Sequence, residues 1–161
     1  MMSQVEVNLS SSNEGDKDYV NLSNAVVELV NVGTEGNILL SDRSAVVTKD
    51  GEAFELPYNT TDKNYHGIIV PQTLKTDNSN KVRFRITVYS DSSKTKKDVY
   101  YADVTPIKVK QKNSTDAAAE TDKWERGVHY VYNLKITKTE IKATATLTDW
   151  TTVEAAEEVW F

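Results

Sequence analysis

Histidine is the side chain that most often serves as a general acid or base near neutral pH, and this chain has two, His66 and His129. His66 stands just before the apolar run Gly67-Ile68-Ile69-Val70. His129 alternates with Tyr130 and so points to the opposite side of its segment, beside Val131 and Asn133. Ser and Asp are plentiful, but no Gly-x-Ser-x-Gly elbow presents a serine, and both histidines read as surface or strand-edge residues. There is no Gly-x-Gly-x-x-Gly and no Gly-x-x-x-x-Gly-Lys-Ser/Thr. Gly33-Thr34-Glu35-Gly36 has too few glycines and no following helix to cradle phosphate, so it reads as a turn. Glu14-Gly15-Asp16-Lys17-Asp18 alternates acids as a calcium loop can, but it lacks the following glycine and the distal Glu of an EF-hand loop. It reads as a solvated loop. The chain has no cysteine, which removes thiol chemistry, zinc ribbons and disulfides together. No cofactor, no metal and no enzymatic activity are expected.

Exposed aromatic rings on a sheet can stack on sugars, and Tyr100, Tyr101, Tyr130 and Tyr132 have the right chemistry for it. Tyr130 and Tyr132 share an apolar row with Leu134 and Ile136 and are expected in the core. Tyr100 and Tyr101 are adjacent, so their rings must face opposite ways on a strand, and one exposed ring is the most they can offer as a ligand contact.

Strand-period alternation recurs through the chain. It is clearest over Val82-Arg83-Phe84-Arg85-Ile86-Thr87-Val88-Tyr89. Val5 to Leu9, Tyr130 to Ile136 and Ile141 to Leu147 repeat it, each with one apolar row for a core and one polar row for water. Ala25 to Val32 is more continuously apolar, as in a strand covered on both faces or central in a sandwich. Residues 31–37, Lys49-Asp50-Gly51, Asp77-Asn78-Ser79-Asn80 and Ser90-Asp91-Ser92-Ser93 carry turn chemistry. Thr137 to Glu140 is a short connection that closes Tyr130 to Leu147 into a hairpin. Ala117-Ala118-Ala119-Glu120 reads as one helical turn in a loop. Punctuation of this kind implies an antiparallel sandwich.

At 161 residues, 39% hydrophobic and 27% charged, the chain is sized and composed for one globular domain. The net charge of −5 and the scattered basic residues give no attraction to nucleic acid or anionic lipid. The run from Lys94 to Lys97 reads as a loop tip. No apolar run reaches the roughly 18 residues that span a bilayer. The first four residues lack signal-peptide character, so an export signal is expected on a longer precursor.

Several segments together resemble the fimbrillin family, subunits of type V pili and related surface proteins of Gram-negative gut and oral bacteria. Ser3 to Leu9 is similar to the strand that opens the family's second domain, and Val20 to Val27, leading into Gly33 and Gly36, to the next strand and its turn. Gly67 to Leu74 is similar to the family's apolar-Pro-Gln-Thr segment. The most specific match is the order Trp124-x-x-Gly127-x-x-Tyr130-x-Tyr132 followed by Asp149-Trp150. Proline at 71 suits a strand end or a crossover between sheets, Gly127 a tight turn or bulge, and Trp150 a plug for the open end of a sandwich.

The resemblance implies an all-β fold: a Greek-key, transthyretin-like antiparallel β-sandwich of about seven to eight strands with at most short helical turns. It would occupy residues 1–150 as the family's C-terminal domain, with 151–161 as a tail. It further implies a structural subunit of a bacterial surface pilus or pilus-like assembly, joined to other pilus subunits by strand donation. The donor would be the tail, where Val153, Ala155, Val159, Trp160 and Phe161 carry the apolar groups. The alternative is a tip or accessory adhesin binding a host glycan or protein. Membrane contact would come only through a lipid anchor on a precursor.

Overall fold

The computed structural model describes residues 2–42, 44–105, 108–111, 119–138 and 141–149. These form fifteen strands and no helix. In chain order the strands are β1 (Ser3–Ser11), β2 (Val26–Val32), β3 (Glu35–Ile38), β4 (Ala45–Lys49), β5 (Glu52–Leu56), β6 (Tyr58–Asn59), β7 (Asn64–Ile69) and β8 (Gln72–Thr73). There follow β9 (Arg83–Tyr89), β10 (Lys97–Asp103), β11 (Lys108–Gln111), β12 (Ala119–Glu120), β13 (Lys123–Trp124), β14 (Val128–Ile136) and β15 (Ile141–Asp149). β6 and β12 are two-residue strands at the edges of the largest sheet, and the two-residue β8 and β13 pair with each other as a separate sheet.

One sheet has the order β12-β11-β15-β14-β1-β7-β6, and the sheet facing it has the order β10-β9-β2-β5. Alternation explains the core between them. Val5 and Val7 of β1, Tyr130, Tyr132, Leu134 and Ile136 of β14, Val27 and Leu29 of β2, and Phe84, Ile86 and Val88 of β9 are all buried. These are the apolar positions of period-two segments, so each strand turns one row inward. The continuously apolar β2 is interior to its sheet, between β9 and β5. Gly67 of β7 faces the core opposite Val5. A Cβ there would lie 2.7 Å from Phe54 Cε1 and 3.0 Å from Leu56 Cδ2, so a bare backbone lets the sheets close.

The aromatic-glycine segment is a lock between strands. The Trp124 indole N–H donates to the Tyr132 hydroxyl at 3.0 Å, and the Glu125 amide to the Tyr130 hydroxyl at 2.8 Å. Gly127 takes the left-handed φ of 70° in the turn before β14, and its amide donates to the Met2 carbonyl at 2.9 Å. Ser3 Oγ donates to the Glu125 carbonyl at 2.7 Å, which ties β1 to the same turn. Pro71 sits between β7 of one sheet and β8 of a separate two-stranded pair, the crossover expected of it.

Four expectations change. β1 pairs with β14 in parallel, and β11 with β15 likewise, so the larger sheet is mixed. Period-two patterning sets which face a residue occupies but carries no strand direction. Ala119-Glu120 is extended and pairs with Val109 and Lys108; sheet pairing overrides the helix propensity of alanine, and 112–118 lie outside the described residues. Glu35-Gly36 is not a closing turn but the first leg of a hairpin, β3 with β4, entered through Gly33. The strand read from Val20 begins only at Val26, because Val20 to Ala25 turn before it, with Ala25 N–H donating to the Leu22 carbonyl at 3.1 Å.

Candidate interaction surfaces

β10 is an edge strand on which Tyr100 and Tyr101 part company. Tyr100 packs half-buried against the core, and burial, with Asp98 adding to it, raises its phenol above the usual tyrosine pKa. Tyr101 is 49% exposed on the outer face. The register sets Tyr101 beside Arg85 and Asp103 beside Arg83, and the Arg83 guanidinium carbon lies 4.8 Å from the Tyr101 ring centroid. Arg85 donates twice to Glu28, at 2.7 and 3.0 Å. The result is one held ring, backed by a cation, with exposed Val99 on the same strand. Such a surface can accept the apolar face of a sugar or a side chain.

The two histidines, far apart in sequence, converge on Glu6. The registers place His66 opposite Glu6 and His129 opposite Gln4. His129 Nε2 lies 2.9 Å from Glu6 Oε2, Asn64 Nδ2 donates to Glu6 Oε1 at 2.9 Å, and His66 Nδ1 is 3.3 Å from Asn64 Oδ1. Asn8 Nδ2 adds a bond to Asn133 at 3.1 Å. Burial lowers the His129 pKa below 6.5, and the Glu6 carboxylate works against that shift. This polar row satisfies a half-buried carboxylate across three strands. Sequence reading missed the convergence because it depends on the parallel β1–β14 pairing.

Glu14 to Asp18 closes on itself. Asp16 accepts the Asn13 amide through its side chain at 3.2 Å and the Tyr19 amide through its carbonyl at 3.1 Å, and Gly15 takes φ 97°. Among the described residues, no group of three or more His, Asp or Glu side chains is placed to hold a metal ion.

A third surface lies where β3 and β4 project. Leu40 is 94% exposed, and Ile38, Leu39 and Val46 are each about half exposed. Beside the hairpin is a depression of about 550 Å³, lined by Ile38, Ala45 and Pro71 together with the charged Asp42, Lys123, Glu125 and Arg126. β15 runs antiparallel to β14 as far as Asp149, which faces Val128. Trp150 and the tail positions Val153, Ala155, Val159, Trp160 and Phe161 lie outside the described residues.

Comparison with known proteins gives a consistent picture. A family model described as fimbrillin-like matches residues 1–150. No curated protein sequence matches the chain. Among solved structures, a candidate cell adhesion protein from Bacteroides uniformis is similar with a TM-score of 0.67 at 16% identity, over 92% of this chain and 50% of that one. The tip fimbrial protein Mfa3 from Porphyromonas gingivalis, with C-terminal truncation, gives a TM-score of 0.59 at 15% identity, over 92% of this chain and 51% of that one. A candidate cell adhesion protein from Bacteroides ovatus gives 0.52 at 14% identity, over 92% and 45%. The chain therefore spans about half the length of these structures and shares their fold.

Proposed function

We propose that this chain, which belongs to the fimbrillin-like family, is part of a structural subunit of a bacterial surface pilus or pilus-like assembly, joined to neighbouring subunits by strand donation. The observation that carries the reading is the family match across residues 1–150. Its role is to bind protein subunits and not to catalyse a reaction. An extended donor would be held by main-chain bonds while alternate side chains fill pockets, and the donor would be the tail, with Val153, Ala155, Val159 and Phe161 on one face when extended. The setting is the cell surface or the extracellular fimbrium, with any membrane contact made through a lipid anchor on a precursor. Deleting Glu154 to Phe161 from the full-length protein should leave subunits unassembled by electron microscopy and gel filtration. Unchanged assembly sinks the donor reading.

A second reading, a tip or accessory adhesin, is favoured by one observation: the Tyr101 ring is exposed and braced by Arg83. A host glycan or protein would be the partner. Binding on a glycan array that disappears with Tyr101→Ala supports it, and binding that survives Tyr101→Ala removes the surface from consideration.

A further inference from the structure

The outer face of the four-stranded sheet is divided by charge. With Phe84, Ile86 and Val88 buried, alternation turns the other row of β9 and β10 outward, and the register pairs Tyr89 with Lys97, Arg85 with Tyr101 and Arg83 with Asp103. β2 and β5 carry Glu28 and Glu55 opposite one another on that same face. The acids nearest the basic half are already engaged. Glu28 takes two hydrogen bonds from Arg85, and Asp103 meets Lys81 at 2.6 Å. Asp91 turns its carboxylate into the β9–β10 turn, accepting the Thr95 amide at 3.0 Å and the Lys96 amide at 2.9 Å. Asp98 stands on the opposite row, paired with Val88. Three cations are left over: among the described residues, Arg83, Lys94 and Lys97 meet no carboxylate. Two of them lie against rings, Arg83 at 4.8 Å from the Tyr101 centroid and Lys94 at 5.5 Å from that of Tyr89. The Arg83 Nε is buried and has no hydrogen-bond partner among the described residues. A half-buried guanidinium short of acceptors favours an anion from outside.

We infer that this strip of β9 and β10 binds an anionic glycan. A sugar ring stacks on Tyr101, its carboxylate or sulfate groups reach Arg83, and Lys97 and Lys94 continue the positive path toward the turn. The inference rests on the adhesin reading and supplies its ligand class. Three features select this ligand. Tyr101, 49% exposed, offers a flat ring to the apolar face of a pyranose. The planar fork of Arg83 matches an oxyanion, and the neighbouring acids, each already bonded, do not compete for it. From Tyr101 to Lys97 the strand runs roughly 13 Å, so a chain of linked sugars can meet the ring and the lysines together. An acidic peptide fits less well, because its main chain would look for the edge of β10 and not for its outer face. The basic residues that are scattered in sequence are thus gathered by the β9–β10 pairing, in a chain whose net charge is −5.

The test titrates the whole chain calorimetrically with oligosaccharides of matched length: hyaluronate, which carries carboxylates, heparin, which adds sulfates, and neutral chitin. Polyglutamate serves as the acidic peptide. Hyaluronate or heparin should bind about tenfold more tightly than chitin, and less tightly as salt rises; the better of the two identifies the anion. Arg83→Gln should weaken binding about tenfold, as loss of a charge-assisted hydrogen bond does. Arg83→Lys, which keeps the charge without the fork, should lose less. Tyr101→Ala should cost about fivefold, and Lys94→Gln with Lys97→Gln about threefold. Lys17→Gln, in the exposed segment between β1 and β2, should change nothing. Circular dichroism and urea midpoints check folding, and Arg83→Lys carries the test if Arg83→Gln unfolds. Chitin or polyglutamate binding as tightly as the anionic glycans, a loss with Lys17→Gln equal to that with Arg83→Gln, or no binding at all overturns the inference. Chitin binding abolished by Tyr101→Ala would leave the adhesin reading standing without it, whereas silence across a glycan array removes both.

Discussion

Removing one oxygen atom tests the lock at the centre of the fold. Tyr132 is fully buried, its hydroxyl accepts the Trp124 indole N–H at 3.0 Å, and its ring meets Phe84 edge-on at 5.0 Å between centroids. Tyr132→Phe keeps the ring contacts and leaves the indole N–H of a residue only 1% exposed without that acceptor. A buried donor left unsatisfied costs about 1–3 kcal/mol, and for a chain of this size each kcal/mol shifts the melting midpoint by about 2–4 °C. A loss of about 2 kcal/mol should therefore lower the midpoint by about 4–8 °C. The cycle of Trp124→Phe, Tyr132→Phe and the double variant, followed by urea denaturation, isolates the pair because the packing loss at Trp124 is common to both arms. Coupling below about 0.5 kcal/mol, or a Tyr132→Phe midpoint equal to the parent's, would refute the lock. Tyr130→Phe is the comparison: its hydroxyl accepts the Glu125 amide at 2.8 Å and donates to the Lys123 carbonyl at 3.4 Å, and both partners belong to exposed residues, so its cost should be smaller.

Gly67→Ala should destabilise by about 1–3 kcal/mol, the range for overpacking a closed core, since its Cβ would meet Phe54 and Leu56; a variant with the parent's urea midpoint contradicts the close approach. Tyr100→Ala should lower stability, because that ring packs on the core, whereas Tyr101→Ala should leave the midpoint within about 0.5 kcal/mol; equal losses would show that the two rings do not divide between faces. His129 has a folded pKa below its ordinary 6.5, chiefly through burial and against the pull of Glu6. The unfolded chain then binds the extra proton first, so stability should fall as pH drops through 6.5 and level off below the folded pKa. Replacing His129 with Gln should flatten that part of the curve, with Glu6 and His66 left in place, and an unchanged slope assigns the dependence elsewhere.

How much was legible in sequence depended on how local the signal was. Alternation identified the inward rows of β9, β14 and β1 residue by residue, and Tyr130 and Tyr132 were placed in the core because they share a row with Leu134 and Ile136. Gly127 and Pro71 mark a turn and a crossover for reasons of their own backbone chemistry. What escaped was long-range. The β1–β14 pairing joins the two ends of the chain in parallel, and no residue in Val5 to Leu9 announces its partner. The convergence of His66 and His129 on Glu6 was hidden for the same reason. The projecting hairpin was concealed by its glycines, since Gly33 and Gly36 suggest a reversal when they instead permit close approach to Val47 and Val70. Ile38, Leu39 and Leu40 form an apolar run that looks like core, and only the tertiary structure leaves it facing water.

The topology also bears on where this domain could accept an added strand. β1 lies between β14 and β7, with Val5 and Val7 fully buried, so pairing on both sides closes it to an incoming segment. An added strand needs an edge, and both edges of the four-stranded sheet are blunted. β10 opens with the charged pair Lys97-Asp98, preceded by Lys94 and Lys96. β5 carries Glu52 and Glu55, and its pairing with β2 shifts register between Val30 and Val32. Charges and bulges at edges are the usual means of discouraging strand addition. Both edges of the four-stranded sheet are therefore guarded against an added strand, and a variant in which Glu52 and Glu55 are replaced by Thr should associate more readily by gel filtration than the parent, whereas an unchanged elution volume would show that β5 is closed by something other than its charges.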